Sequence, residues 1–352
     1  MTMQTAAERQ LLDWLGQVIA GRDASLDLLD DGLEQLVVRT RLDALAARSA
    51  GGARLQEAAR RAFAQSSHIE RASTECLGHL RDAGVEAVTL KGPALAVRFW
   101  GDAALRQSTD VDLLIAPAEL APAIRALEAG GYRLGGVLFP GWYEARWHYH
   151  RTFNRAKPPT PPIELHWAVA RSGLTRIDTR AIVAGHENVR CLHGELPAPA
   201  PHWQLVLAAL HAVRHHFPLR ELVDVAFVAR ALDERGLALA VREAQRAGVG
   251  PALYYSLRMS ALRFGGEMPS GVAVLRPRGA RDAIVRRYLA GLPVTGGVAK
   301  ATMRLGKVVT PLTTSSLSRL PASFAWSLSD HPYLADRLDR TLRRRVSGAG
   351  GA

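Results

Sequence analysis

The chain has 352 residues, 48% hydrophobic and 22% charged, which gives a globular composition, long enough for a large core, and excludes wholesale disorder. No apolar run approaches the roughly 18 residues that span a bilayer, and the richest, residues 205–212, ends at a histidine cluster. Charged residues interrupt the N-terminus where a signal peptide would be apolar, and the two cysteines, Cys76 and Cys191, match no metal spacing; a reduced, cytoplasmic location is expected.

The net charge of +12 needs dissecting, because only four of the 45 basic residues are lysines: Lys91, Lys157, Lys300 and Lys307. An arginine bias of this kind follows from base composition and does not itself indicate nucleic-acid binding. The distribution is more telling. Residues 272–352 carry 14 Arg and Lys against four Asp, a net +10, leaving the rest nearly neutral. The expected organisation is an N-terminal helical segment (1–84), a small α/β core (85–170), a helical domain (171–265) and a basic C-terminal segment (266–352). That last segment is a candidate contact for an anionic partner, with an arginine-rich solvated face as the alternative.

In chain order, Leu11, Leu12, Leu15, Val18 and Ile19 follow the helical period, as do Leu26, Leu29, Leu33, Leu36 and Val37. A long helix is predicted over residues 53–82, stopped by Gly84. Strands are predicted over 85–90 and 111–116, with a helix between them after Lys91-Gly92-Pro93. A helix over 117–129 closes on Gly130-Gly131, residues 132–138 and 146–154 pair as a hairpin, and 163–167 form a further strand. Helices follow over 202–215, 219–232, 237–247, 252–264 and 281–290, then a Gly/Thr/Ser-rich stretch and a last basic helix over 336–346.

The chemistry concentrates in Leu90-Lys91-Gly92-Pro93, in Arg106-Gln107-Ser108-Thr109-Asp110-Val111-Asp112, and in Ile163-Glu164-Leu165-His166-Trp167. Alternation along a strand puts Asp110 and Asp112 on one face, where their repulsion asks for a cation, and Glu164 supplies a third carboxylate from another strand. Such a set suits two divalent ions in phosphoryl transfer. Lys91 offers a point charge to phosphates, Gly92 a close backbone approach, and Arg106 a planar fork. His166 and Trp167 read as packing or cleft-wall residues. His211 and His215, one turn apart, could bind zinc but read better as packing or cleft lining. Asp224 is expected to pair with Arg220 or Arg230, or to anchor a helix.

These landmarks, in this order, resemble the uncharacterised nucleotidyltransferases of the polymerase-β superfamily over roughly residues 70–235. The resemblance implies a mixed-sheet nucleotidyltransferase core, Asp110, Asp112 and Glu164 as metal ligands and catalytic residues, two Mg²⁺ (or Mn²⁺) ions, and a nucleoside triphosphate donor, ATP first. Lys91, Gly92 and Arg106 would bind the nucleotide, and His166, His211 and His215 would line the substrate cleft. Lys91-Gly92-Pro93 departs from the superfamily's Gly-Gly or Gly-Ser turn, and the gap to Asp110 is longer. The acceptor stays open among a small molecule, a peptide or protein, and RNA. A phosphotransferase, or a non-enzymatic nucleotide- or RNA-binding protein of the same fold, are the alternatives.

Overall fold

Alternation in the two acidic strands sorts their residues onto opposite faces of one sheet, and this division organises the molecule. The computed structural model describes residues 4–26, 31–49, 53–135, 148–170, 174–294, 309 and 311–313. Its central sheet contains β1 (Ala87–Thr89), β2 (Val111–Ile115), β3 (Arg133–Leu134), β4 (His150–Asn154) and β5 (Ile163–His166), in the order β1-β2-β5-β4-β3. Among the described residues only the β2–β5 pair is parallel. The class is α/β with a mixed sheet, as expected.

Val111, Leu113 and Ile115 of β2, Ile163 and Leu165 of β5, and Phe153 of β4 face one way. They bury against Ile69, Ala72, Cys76 and Leu80 of α4 (Ala53–Asp82) and Ala123 and Leu127 of α6 (Leu120–Ala129). The bounds of α4 coincide with the predicted helix. Its last turns thus form one layer of the sheet's core, so that the helix serves both the N-terminal helices and the α/β unit.

The other face carries Val88 and Leu114, paired across β1 and β2, into a second and larger core. That core unites α1 (Ala6–Ile19), α2 (Asp31–Arg39) and α3 (Asp43–Ala46) with α8 (Pro201–Arg214), α9 (Leu219–Ala231), α10 (Glu234–Ala247), α11 (Gly250–Phe264) and α12 (Ala280–Ala290). The capping box of Thr5 and Glu8 starts α1. Val285, Tyr288 and Leu289 of α12 are buried, so residues 272–294 of the basic segment belong to this core. The Gly/Thr/Ser-rich stretch beyond 294, apart from 309 and 311–313, and the basic helix predicted over 336–346 lie outside the described residues.

Between these layers, α5 (Pro93–Leu95) runs into a π-helical turn, Ala96–Trp100. A short helix, α7 (Thr179–Ala184), and a separate hairpin of β6 (Glu187–Cys191) and β7 (Gly194–Ala198) follow β5. Neither was foreseen. The hairpin packs on β1 and α5, where Thr89 Oγ1 donates to the Pro197 carbonyl at 2.9 Å. No helix among the described residues is long and apolar enough to cross a membrane.

Candidate active site

The parallel register sets Asp112 directly opposite Glu164, and Leu114 opposite His166. Asp112, Glu164 and His166 therefore share the face that looks toward the helices, with His150 of β4 beside His166. These residues line a cleft of about 710 Å³, closed on its far side by α8, α9 and the turn joining them.

Asp110 also lines the cleft, but β2 begins one residue later, at Val111, so the carboxyl sits on the loop that enters the strand. Burial pushes this carboxyl above the usual aspartate range, and the charges of Asp112 and Glu164 push it further, with Lys91 only partly opposing them. Asp112 is buried, with 6% of the residue exposed. Burial alone would raise its carboxyl, yet Lys91 Nζ at 3.1 Å from Oδ2 and His166 Nε2 at 3.3 Å from Oδ1 hold it well below the ordinary range.

The same His166 Nε2 lies 3.3 Å from Glu164 Oε2, and this contact keeps Glu164 low. Burial would lower His166, but the two carboxylates raise it. Its other nitrogen, Nδ1, is buried with no hydrogen-bond partner among the described residues. The carboxylate and imidazole atoms of Asp112, Glu164 and His166 lie within 4.8 Å of one another, so these three could hold a metal ion. His166, expected to pack or to line the cleft, does line it, and its ring nitrogen also lies between two of the acidic groups.

Gly92 precedes α5 with φ +74 and ψ −143, a conformation that side chains rarely adopt. A Cβ there would meet only Ser108 Oγ at 3.8 Å, so the backbone angle, and not crowding, is what requires glycine. Pro93 then starts the helix with its fixed φ.

Arg106, expected as a phosphate fork, lines the cleft with its guanidinium engaged by protein partners. Nε and Nη2 donate to Asp224 Oδ1 and Oδ2 at 2.7 and 2.8 Å, and Nη1 donates to Ser108 Oγ at 3.2 Å. With 3% of the residue exposed, the guanidinium is committed to a buried bidentate pair. Asp224 correspondingly pairs with Arg106 and accepts from Trp100 Nε1 at 3.0 Å, and neither Arg220 nor Arg230 is its partner. Arg220 instead pairs with Glu221 at 2.9 Å and donates to the Gln107 carbonyl at 3.0 Å.

On the far wall, the His211 and His215 rings meet with centroids 4.4 Å apart and planes tilted by 52°. Burial and the nearby cations Lys91, Arg106 and Arg214 drive His211 well below its usual value; burial and Arg214 lower His215. Both are therefore neutral imidazoles at pH 7. His211 Nε2 is 3.9 Å from Glu221 Oε1, and no third ligand joins the pair in a metal-holding group among the described residues. The turn below them is strained: His216 and Phe217 both have positive φ, 62° and 58°, and Tyr288 Oη meets His216 Nδ1 at 3.1 Å.

Several cleft residues had not been singled out. Tyr149 stacks under Arg214, whose guanidinium carbon is 4.7 Å from the ring centre and which also donates to the phenol oxygen. His150 stacks on His166 at 4.9 Å, and burial with the positive neighbours His166, Arg214 and His148 lowers it to about 4. The signal available in the sequence was the strand period itself. Glu164 and His166 are two residues apart, so the step that placed Glu164 on the acidic face places His166 there too.

A family model described as an uncharacterised nucleotidyltransferase matches residues 36–265. Among solved structures, that of the antibiotic-resistance factor ANT(2'')-Ia is 10% identical, with 52% of this chain and 94% of that chain covered and a TM-score of 0.37. A nucleotidyltransferase-like antigenic protein from Paracoccidioides brasiliensis is 13% identical, with 55% and 94% covered and a TM-score of 0.33. At those scores the structural likenesses carry no weight for the site. No curated protein matches. The matched span includes the sheet, the acidic cluster and both walls of the cleft, and the chain belongs to the uncharacterised nucleotidyltransferase family.

Proposed function

We propose that the protein transfers a nucleoside monophosphate from a nucleoside triphosphate, ATP first, to an acceptor hydroxyl or phosphate, releasing pyrophosphate. One observation carries the reading: the parallel register that sets Asp112 against Glu164, with Asp110 just before it, at the floor of a cleft large enough for a nucleotide and a second molecule. Binding alone does not need three clustered carboxyl groups.

The residues fit a divalent cation. Their donor atoms are mainly carboxylate oxygens, the set that Mg²⁺ and Mn²⁺ prefer. Burial first, then the charges of Asp112 and Glu164, raise the Asp110 carboxyl, and Lys91 and Arg106 only partly oppose them. Asp110, Asp112 and Glu164 would hold two ions, with His166 Nε2 within reach of both Asp112 and Glu164. Bound there, the ions would neutralise charge on the α-phosphate and the departing pyrophosphate.

The chain's own groups supply the rest. Lys91, about a quarter exposed beside Asp112, presents its ammonium to the β- and γ-phosphates as a point charge. Gly92 brings the backbone close to them. Glu164, held ionised by His166, takes the proton of the acceptor hydroxyl as it attacks the α-phosphorus. Tyr149 with its stacked Arg214, and the neutral His211 and His215, form a polar aromatic wall for the acceptor. Positioning and electrostatics then provide most of the rate.

The test is isothermal titration with each nucleoside triphosphate in Mg²⁺, followed by an assay for pyrophosphate. Binding of at least one triphosphate, with pyrophosphate release when an acceptor-containing extract is added, is expected. Absence of nucleotide binding at millimolar concentration overturns the proposal.

A further inference from the structure

Asp110 occupies a place that electrostatics disfavours. It is partly desolvated, it lines the same cleft as the carboxyl groups of Asp112 and Glu164, and it lies outside the ladder of β2 on an irregular loop. A loop left to itself would relax by carrying this carboxyl outward to water. What prevents it lies in the three residues upstream. Arg106 is clamped by both oxygens of Asp224, the Gln107 carbonyl accepts from Arg220 Nη1, and the Ser108 carbonyl accepts from Gln65 Nε2 at 3.2 Å. The Gln107 side chain donates to Asp43 at 2.5 Å. Downstream, the Val111 amide donates to the Pro162 carbonyl at 2.9 Å.

Asp224 and Arg220 stand one turn apart on the same face of α9, so a single helix grips two consecutive residues of the loop. Asp224 itself is fixed by the Trp100 indole from the π-helical turn. The partners are 118 residues apart in sequence and the pair is almost fully buried. A buried ion pair costs desolvation, and hydrophobic residues of the same volume would often stabilise a core equally well. Its bidentate form fixes direction, and the direction here is that of the loop leading to Asp110.

We propose that Asp224 is a positioning residue, acting through Arg106 and seconded by Arg220, that holds residues 106–110 so that the Asp110 carboxyl completes the acidic site. The helical half of the molecule thereby sets the metal affinity of the sheet half. This rests on the reading of Asp110 as a metal ligand.

The experiment measures Mn²⁺ binding to the protein without nucleotide, by the loss of the free-Mn²⁺ electron paramagnetic resonance signal. It compares the unaltered protein with Asp224→Asn, Arg106→Lys and Arg220→Met, each also followed by thermal unfolding. The Mn²⁺ dissociation constant is expected to rise at least fivefold in Asp224→Asn and Arg106→Lys, and at least twofold in Arg220→Met, at a temperature where each variant is folded. A lowered melting temperature with unchanged Mn²⁺ affinity overturns the proposal and leaves a purely structural ion pair. If Asp224→Asn and Arg106→Lys do not fold, Arg220→Met decides, because Arg220 is not part of the buried pair; unchanged affinity there overturns the positioning role. Failure of the unaltered protein to bind Mn²⁺ overturns the nucleotidyltransferase reading itself, and the positioning role with it.

Discussion

The two aspartates of the acidic pair should respond oppositely in stability when each is changed to asparagine, although both changes abolish turnover. Asp112→Asn removes a carboxylate that Lys91 and His166 both contact. A hydrogen bond to a charged group contributes about 1.5–3 kcal/mol. The Lys91 contact is discounted because that ammonium can turn to water, and His166 can relax by losing its proton. A net loss of about 1–2 kcal/mol follows, a fall of a few degrees in melting temperature. Asp110→Asn instead removes a carboxyl that burial and its neighbours already penalise, so its melting temperature should rise.

The effect should depend on pH in a defined way when metal is removed with EDTA. Asp112 is lowered in the folded protein, so its stabilisation is present above the ordinary aspartate value of about 3.9 and is lost as pH falls through the lowered one. His166 is raised, so its share is full below about 6.5 and is lost as pH rises through the raised value. The gap between the unaltered protein and Asp112→Asn should therefore be widest between about pH 4 and 6.5. Thermal unfolding followed by circular dichroism across that range measures it. A rise in melting temperature for Asp112→Asn, or a fall for Asp110→Asn, would refute the charge balance described here.

Lys91→Ala should weaken nucleoside triphosphate binding by about 1.5–3 kcal/mol, with Lys91→Arg a poor rescue because a planar fork replaces a point charge; calorimetric titration with ATP reads both, and unchanged affinity returns Lys91 to a partner of Asp112 alone. Burial pushes the fully buried Cys76 thiol up to about 12, so it should not react with a disulfide reagent at pH 8 until guanidinium unfolds the chain, and fast labelling of Cys76 in the native protein would contradict that burial. Deleting residues 272–352 should destabilise or unfold the protein, since Val272, Leu275, Val285, Tyr288 and Leu289 belong to the larger core; an unchanged melting temperature would show that they do not support it.

Much of this architecture was readable from periodicity. The α4 helix announces itself by thirty residues of helical pattern ended by Gly84, and β2 and β5 by apolar residues alternating with acids. The same alternation brought Asp112 and Glu164 to one face. The β6–β7 hairpin stayed hidden because Glu187, Asn188 and Arg190 are exposed, and Pro197 sits inside β7, so neither strand shows a clean two-residue period. Arg106 was legible as a cation near the site but not as a partner of Asp224. Nothing local links residues 118 positions apart, and the pairing exists only once α9 packs beside the loop. Asp224's nearer arginines, Arg220 and Arg230, were the sequence-local choice. Tertiary packing gave Arg220 to Glu221 and to the Gln107 carbonyl instead.

The most direct test of nucleotidyl transfer uses ATP labelled in turn at the α- and γ-phosphate, incubated with the protein, Mg²⁺ and a cell extract that supplies acceptors. Label from the α-position should appear on an acceptor, with pyrophosphate released, and should vanish in Asp110→Asn and Asp112→Asn. Transfer of the γ-label instead would contradict the account and point to a phosphotransferase on this fold. Transfer of neither label, with nucleotide binding intact, would leave a nucleotide-binding protein in place of an enzyme.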